Sequence, residues 1–234
     1  MKQITYDRIE TLPHMPVKKQ CKLIKVFPEY LNSKRKMMTG KYGKVKTDRI
    51  FEKALNEYPD IVKKIPVFQT SMYDTLMTMA AKMAAVKKGM RAAGIGTEEF
   101  VKFYMEDTRS TARKIPAFLR KILGKIYLSE LVRNYLKKVA KTLSANQWPT
   151  RIIDGTPIDD FIMSIETRNC RMVGFWESIG EGDIKPYCTF FDFTSAELLG
   201  LGLRQVSTID SGVCKYCFYR NGKVCWPEAV QQIL

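Results

Sequence analysis

Cys188 and Asp192 are the side chains in this sequence best placed to do chemistry. If Pro186 takes the first position of a helix, Cys188 falls at the third, where free N–H groups and the helix dipole favour a thiolate. Asp192, four residues on, shares that helix face. Its charge opposes thiol ionisation unless a cation intervenes, and Arg204 is the nearest basic residue on the C-terminal side. On a strand, Arg204 and Thr208 point to one side, and across a turn Cys214, Tyr216 and Phe218 share one side of the next strand. Together these faces would enclose a thiol, a carboxylate and a guanidinium. A buried structural role for the thiols is the competing reading, because free cysteine is among the most buried residue types.

Other chemistries find less support. The single histidine, His14, lies near the N-terminus, so triads, Cys-His dyads and multi-histidine metal sites would all have to be built on that one side chain. Cys214-Lys215-Tyr216-Cys217 is formally C-x-x-C, but the alternation V-C-K-Y-C-F-Y reads as a strand, whose residues three apart face opposite ways. Cys188 and Cys225 would have to complete a zinc site without a second C-x-x-C. No metal is therefore expected at these cysteines.

Several elements must hold these residues. Residues 1–46 read as a basic irregular segment with a dense run at Lys34-Arg35-Lys36, Lys41, Lys44 and Lys46. From 47 to about 145 the pattern is helical. Met72, Leu76, Met79, Met83, Val86 and Met90 form one stripe, closed by Gly94 and Gly96. A second long helix runs from Pro116 with Leu128, Val132, Tyr135, Val139 and Leu143 on one face. The segment 144–150 then punctuates the chain, and 146–234 reads as an α+β part. Its elements are a strand through Phe161, Met163 and Ile165, a helix over 171–179, and the helix from Pro186 to Gly200 or Gly202. Strands 203–209 and 213–219 follow, joined by Asp210-Ser211-Gly212. The predicted fold is α+β: an N-terminal helical layer packed on a small antiparallel sheet with short helices.

Composition fits a globular protein, with 45% hydrophobic and 27% charged residues. The net charge of +15 is unevenly placed: residues 1–150 hold 31 basic against 13 acidic side chains, and 151–234 hold 8 against 11. Nucleic acid is not favoured as a partner, since no recognisable binding motif accompanies the charge. No segment reaches the roughly 18 apolar residues of a membrane span. The N-terminus lacks a secretory h-region, and six scattered cysteines do not form a secreted disulfide pattern. A cytoplasmic protein with reduced thiols and no membrane partner is expected.

The ordered series Thr167-Arg168-Asn169-Cys170, Glu177, Gly180, Cys188, Asp192, Arg204, Thr208, Gly212 and Cys214-Lys215-Tyr216 resembles the C-terminal region of the L-2-amino-thiazoline-4-carboxylic acid hydrolase family. The likeness covers roughly residues 160–220. Lys215 stands where the family usually has Asp, and Tyr216 where it has Phe. The resemblance implies hydrolytic opening of a small cyclic amidine to a carbamoyl-cysteine type product, with no need of a metal or an organic cofactor. Cys188 would be the nucleophile, Asp192 the base or amidinium partner, and Arg204 the clamp on a substrate carboxylate. Thr208, Cys170, Cys214 and Tyr216 would line the substrate site. The alternative is a non-catalytic small-molecule-binding or sensory module of the same shape, and the oligomeric state is not legible.

Overall fold

The computed structural model describes residues 12–68, 71–142 and 148–234. Leu143 and most of the punctuating segment 144–150 fall outside that range. The described chain is α+β, with a helical N-terminal part and a five-stranded sheet. Two compact units form. Among the described residues one holds 12–101 together with Met172–Lys185; the other holds Lys102–Arg171 and Pro186–Leu234.

The first unit contains helices α1 (Val17–Tyr42), α2 (Lys44–Lys63) and α3 (Ser71–Ala92). It also holds the first turn of α4 (Thr97–Ala112) and nearly all of α7 (Arg171–Ser178). The segment read as irregular, 1–46, is thus largely a helix from Val17 onward. Phe27, Leu31 and Met38 give α1 a narrow buried face, diluted in sequence by lysines and by Pro28 inside the helix. Phe27 stacks on Tyr58 of α2 with ring centroids 3.8 Å apart. Helix α3 corrects part of the methionine stripe. Its first half buries Tyr73, Met77, Ala80 and Ala81, while Met79 is 38% exposed; Met83, Val86 and Met90 are buried as expected. The small residues explain the rotation, because they let neighbours come close. A Cβ on Gly89 would meet the Ile50 carbonyl oxygen at 2.3 Å, and Trp176 Nε1 donates to the Ala80 carbonyl at 3.2 Å.

The second unit carries the sheet. Strands β1 (Thr150–Asp154), β2 (Met163–Arg168), β3 (Gly202–Ser207), β4 (Val213–Tyr219) and β5 (Val224–Cys225) lie in the order β1-β2-β4-β3-β5. All neighbours are antiparallel except β3 and β5, so the sheet is mixed rather than purely antiparallel. The helix read as continuous from Pro116 breaks at Leu128 into α5 (Ala117–Tyr127) and α6 (Glu130–Thr142). Helix α8 (Phe190–Leu199) ends at Gly200, whose left-handed conformation suits glycine. Phe193 and Ala196 of α8 bury against Met163, Leu203 and Phe218 of the sheet, with Leu128 beside them. Helix α5 approaches α8 closely at Gly124, where a Cβ would meet the Leu199 carbonyl oxygen at 2.4 Å. The short helix α9 (Glu228–Gln231) closes the chain.

Candidate functional site

Strand pairing decides which side chains can meet. Cys214, Tyr216 and Phe218 of β4 sit opposite Thr167, Ile165 and Met163 of β2, and Tyr216 and Phe218 sit opposite Gln205 and Leu203 of β3. Paired residues share a face. The inner face therefore grades from an apolar rung under α8 (Met163, Phe218, Leu203) to rungs with polar groups at Tyr216, Gln205, Cys214 and Thr167. Tyr127, at the end of α5, packs edge-on against Phe218 with centroids 5.5 Å apart, and Tyr216 meets the same ring at 5.7 Å.

The start of α8 completes this end of the unit. Pro186 does not open the helix: a 3-10 turn, Gly182–Tyr187, runs through it, and α8 begins at Phe190 after Thr189. Asp192, rather than Cys188, occupies the third helical position, and Cys188 lies in the turn before the helix. Cys170 lies two residues beyond the end of β2. Cys188, Cys170, Cys214 and Asp192 lie within electrostatic reach of one another, and Asp192 also reaches Tyr216 and Tyr127. The structure thus brings five of the seven residues singled out in the sequence into one cluster.

Arg204 and Thr208 stay outside it. Arg204 pairs across the strands with Cys217, on the opposite face from Tyr216, and is exposed. An irregularity between Gln205 and Ser207 breaks the alternation that would have put Arg204 and Thr208 on one side. Thr208 is exposed at the turn Ile209–Ser211, where its carbonyl accepts from the Ser211 amide and hydroxyl. Gln205 holds the site-facing position instead, its Nε2 3.7 Å from Cys214 Sγ. Gln205 and Tyr127 are the members that sequence reasoning missed. Gln205 had a readable signal, since it lies opposite Tyr216 once the hairpin register is set; Tyr127 had none.

The electrostatics of the cluster are those of acids without a cation. Burial pushes the Asp192 carboxyl up to about 6, despite its place in the first turn of a helix. Among the described residues it makes no hydrogen bond or ion pair. Burial also drives the Cys188 thiol well above its ordinary range, and Cys170, Cys214, Asp192 and Asp210 add to the effect. Cys214 is pushed up to about 12, burial again leading, with the Gln205 hydrogen bond acting the other way. Tyr127 and Tyr216 are both raised by burial and by Asp192, so their phenols remain hydrogen-bond donors. Asp192 and Cys188 are nonetheless only part-buried. Part of each residue therefore stays open to solvent.

Such a cluster suits a small cation. A ligand carrying delocalised positive charge would pair with Asp192, return its carboxyl to the ionised form, and lie against two tyrosine rings. The C-x-x-C cysteines stand apart: Cys214 faces the cluster and Cys217 is on the Arg204 side. Among the described residues no group of three or more His, Cys, Asp or Glu side chains is arranged to hold a metal ion. No described helix is long and apolar enough to cross a membrane. No family model, no curated protein and no solved structure matches this chain.

Proposed function

We propose that the chain is a divergent member of the L-2-amino-thiazoline-4-carboxylic acid hydrolases, opening a small cyclic amidine in the reducing cytoplasm. The observation that carries this reading is the desolvated Asp192 carboxyl, without a cation partner among the described residues, clustered with Cys188, Tyr127 and Tyr216. The Asp192 carboxylate holds the ring amidinium and takes a proton from water as the water oxygen adds to the amidine carbon. The ring C–S bond then breaks, Asp192 returns that proton to the departing sulfur, and the extra proton of the former amidinium passes to solvent. The product is a ureido thiol of carbamoyl-cysteine type. Cys188 enters as nucleophile only by passing its proton to Asp192 first, because its thiol is held protonated. The reaction as written uses water and this chain's own groups.

A second reading is a non-catalytic small-molecule-binding module. It is favoured by one observation: Arg204 faces away from the cluster, leaving no cation there for a substrate carboxylate. Turnover of L-2-amino-thiazoline-4-carboxylate, followed as free thiol released, separates the two. Wild-type turnover abolished by Asp192→Asn supports the hydrolase. An inert wild type that still binds the compound supports the binding module.

A further inference from the structure

Helix α5 shows a face that the described residues leave uncovered. Its buried side carries Gly124, set against Leu199, and Arg120, which donates to the Leu198 carbonyl at 3.3 Å. Around the helix from these lie Phe118 (64% exposed), Ile122 (47%) and Ile126 (51%), each one turn after the last, with Leu119 and Leu123 beside them and Ile115 just before. Together they expose on the order of 500 Å² of apolar surface, the size of patch that monomers keep for function.

The charges around this stripe select its partner. From Thr108 to Ser129 the sequence holds six cations and no carboxylate. Two are engaged within the fold, Arg109 with Glu197 and Arg120 with Leu198. Arg113, Lys114, Lys121 and Lys125 make no ion pair among the described residues. On the helical wheel of α5 Lys121 and Lys125 fall together, along one edge of the apolar stripe, and Lys114 lies in the turn before the helix. A second copy of this chain would bring the same uncompensated lysines against these, and the patch falls short of the roughly 800 Å² a side that stable pairs bury. What fits is a surface that is apolar beneath and negative on top.

We infer that α5 lies flat on an anionic lipid surface, its Phe118–Ile122–Ile126 ridge entering the acyl boundary while Lys121 and Lys125 meet the headgroups. The sequence reading looked only for a crossing segment, and a helix of 11 residues cannot cross. Lying in the interface requires amphipathicity, not length.

The test is co-sedimentation of the full chain with vesicles of phosphatidylcholine alone or with added phosphatidylserine. Binding is expected only to the anionic vesicles, reversed by salt. Lys121→Ala and Lys125→Ala should each weaken it roughly fivefold. Phe118→Ser and Ile122→Ser should each weaken it by tenfold or more. These side chains are exposed, so unchanged circular dichroism and melting establish that each variant is folded. Absence of binding to anionic vesicles overturns the inference, as does binding indifferent to Phe118→Ser and Ile122→Ser. So does a concentration-dependent dimer that those two substitutions abolish.

Discussion

Replacing Asp192 by Asn should make the protein more stable at neutral pH while impairing its site. The carboxyl titrates at about 6 in the folded chain and near its ordinary 3.8 once unfolded. Between those values the folded state holds the extra proton, so stability falls as pH rises through the window and the loss is complete above it. At about 1.4 kcal/mol per tenfold change in acidity, the full penalty is about 3 kcal/mol, reduced to roughly 2 kcal/mol by the residual contact of Asp192 with solvent. Urea unfolding at about pH 4 and about pH 8, for wild type and Asp192→Asn, measures it. The Asn amide carries its own desolvation, equal at both pH values, so the readout is the pH-dependent part alone. The variant should gain roughly 2 kcal/mol on wild type in going from the acid to the alkaline condition. An identical pH dependence in the two proteins would refute the reasoning, because Asp192 would then be paired or solvated. A carboxyl that destabilises its own fold at neutral pH is the usual signature of a group kept for function.

Three further outcomes follow from other parts of the molecule. Gly124→Ala should cost about 1–3 kcal/mol, since its Cβ would collide with the Leu199 backbone rather than with a movable side chain; thermal unfolding checks this. Lys87, 3% exposed, bridges buried Glu181 at 2.7 Å and exposed Asp183 at 2.6 Å, so Lys87→Met should cost about 2 kcal/mol by removing one of the cations around Glu181, which keeps Arg91 and Lys88, read by urea unfolding. Iodoacetamide at mildly alkaline pH should label exposed Cys21 and Cys225 first and Cys188 and Cys214 last, as peptide mass spectrometry would report; fast labelling of Cys188 would contradict its raised pKa.

The sheet was the most legible part of the fold. The alternation in Val213–Tyr219 fixed β4 and put Cys214 with Tyr216 and apart from Cys217, as the pairing shows. Arg204 was misplaced because a single irregularity after Gln205 shifts the side-chain parity, and nothing in the residues around Val206 announces it. The start of α8 was misread because Pro186 is as acceptable inside a 3-10 turn as at a helix start. Helix α1 was hidden by frequent lysines and by Pro28, with only Phe27, Leu31 and Met38 buried to mark its inner face. Short β5 and its parallel pairing with β3 carry no local signal, since two residues show no period. Nor does the Lys87–Glu181 contact, which joins residues 94 apart in sequence.

For the site, sequence spacing singled out five residues that the fold does bring together, and half of their geometry. Cys188 and Asp192 do approach each other, but the helix starts between them and gives the third position to the acid. That exchange turns the chemistry from a dipole-activated thiolate to a desolvated carboxylate awaiting a cation.

The most direct test of that claim is calorimetric binding of 2-aminothiazoline, an amidine without a carboxylate, at about pH 6 in two buffers of different ionisation enthalpy. Wild type should bind it and release a substantial fraction of a proton, as the amidinium drives Asp192 to its charged form, and Asp192→Asn should show neither the affinity nor the proton release. Equal binding by the two proteins, or binding by wild type with no proton released, would contradict the account.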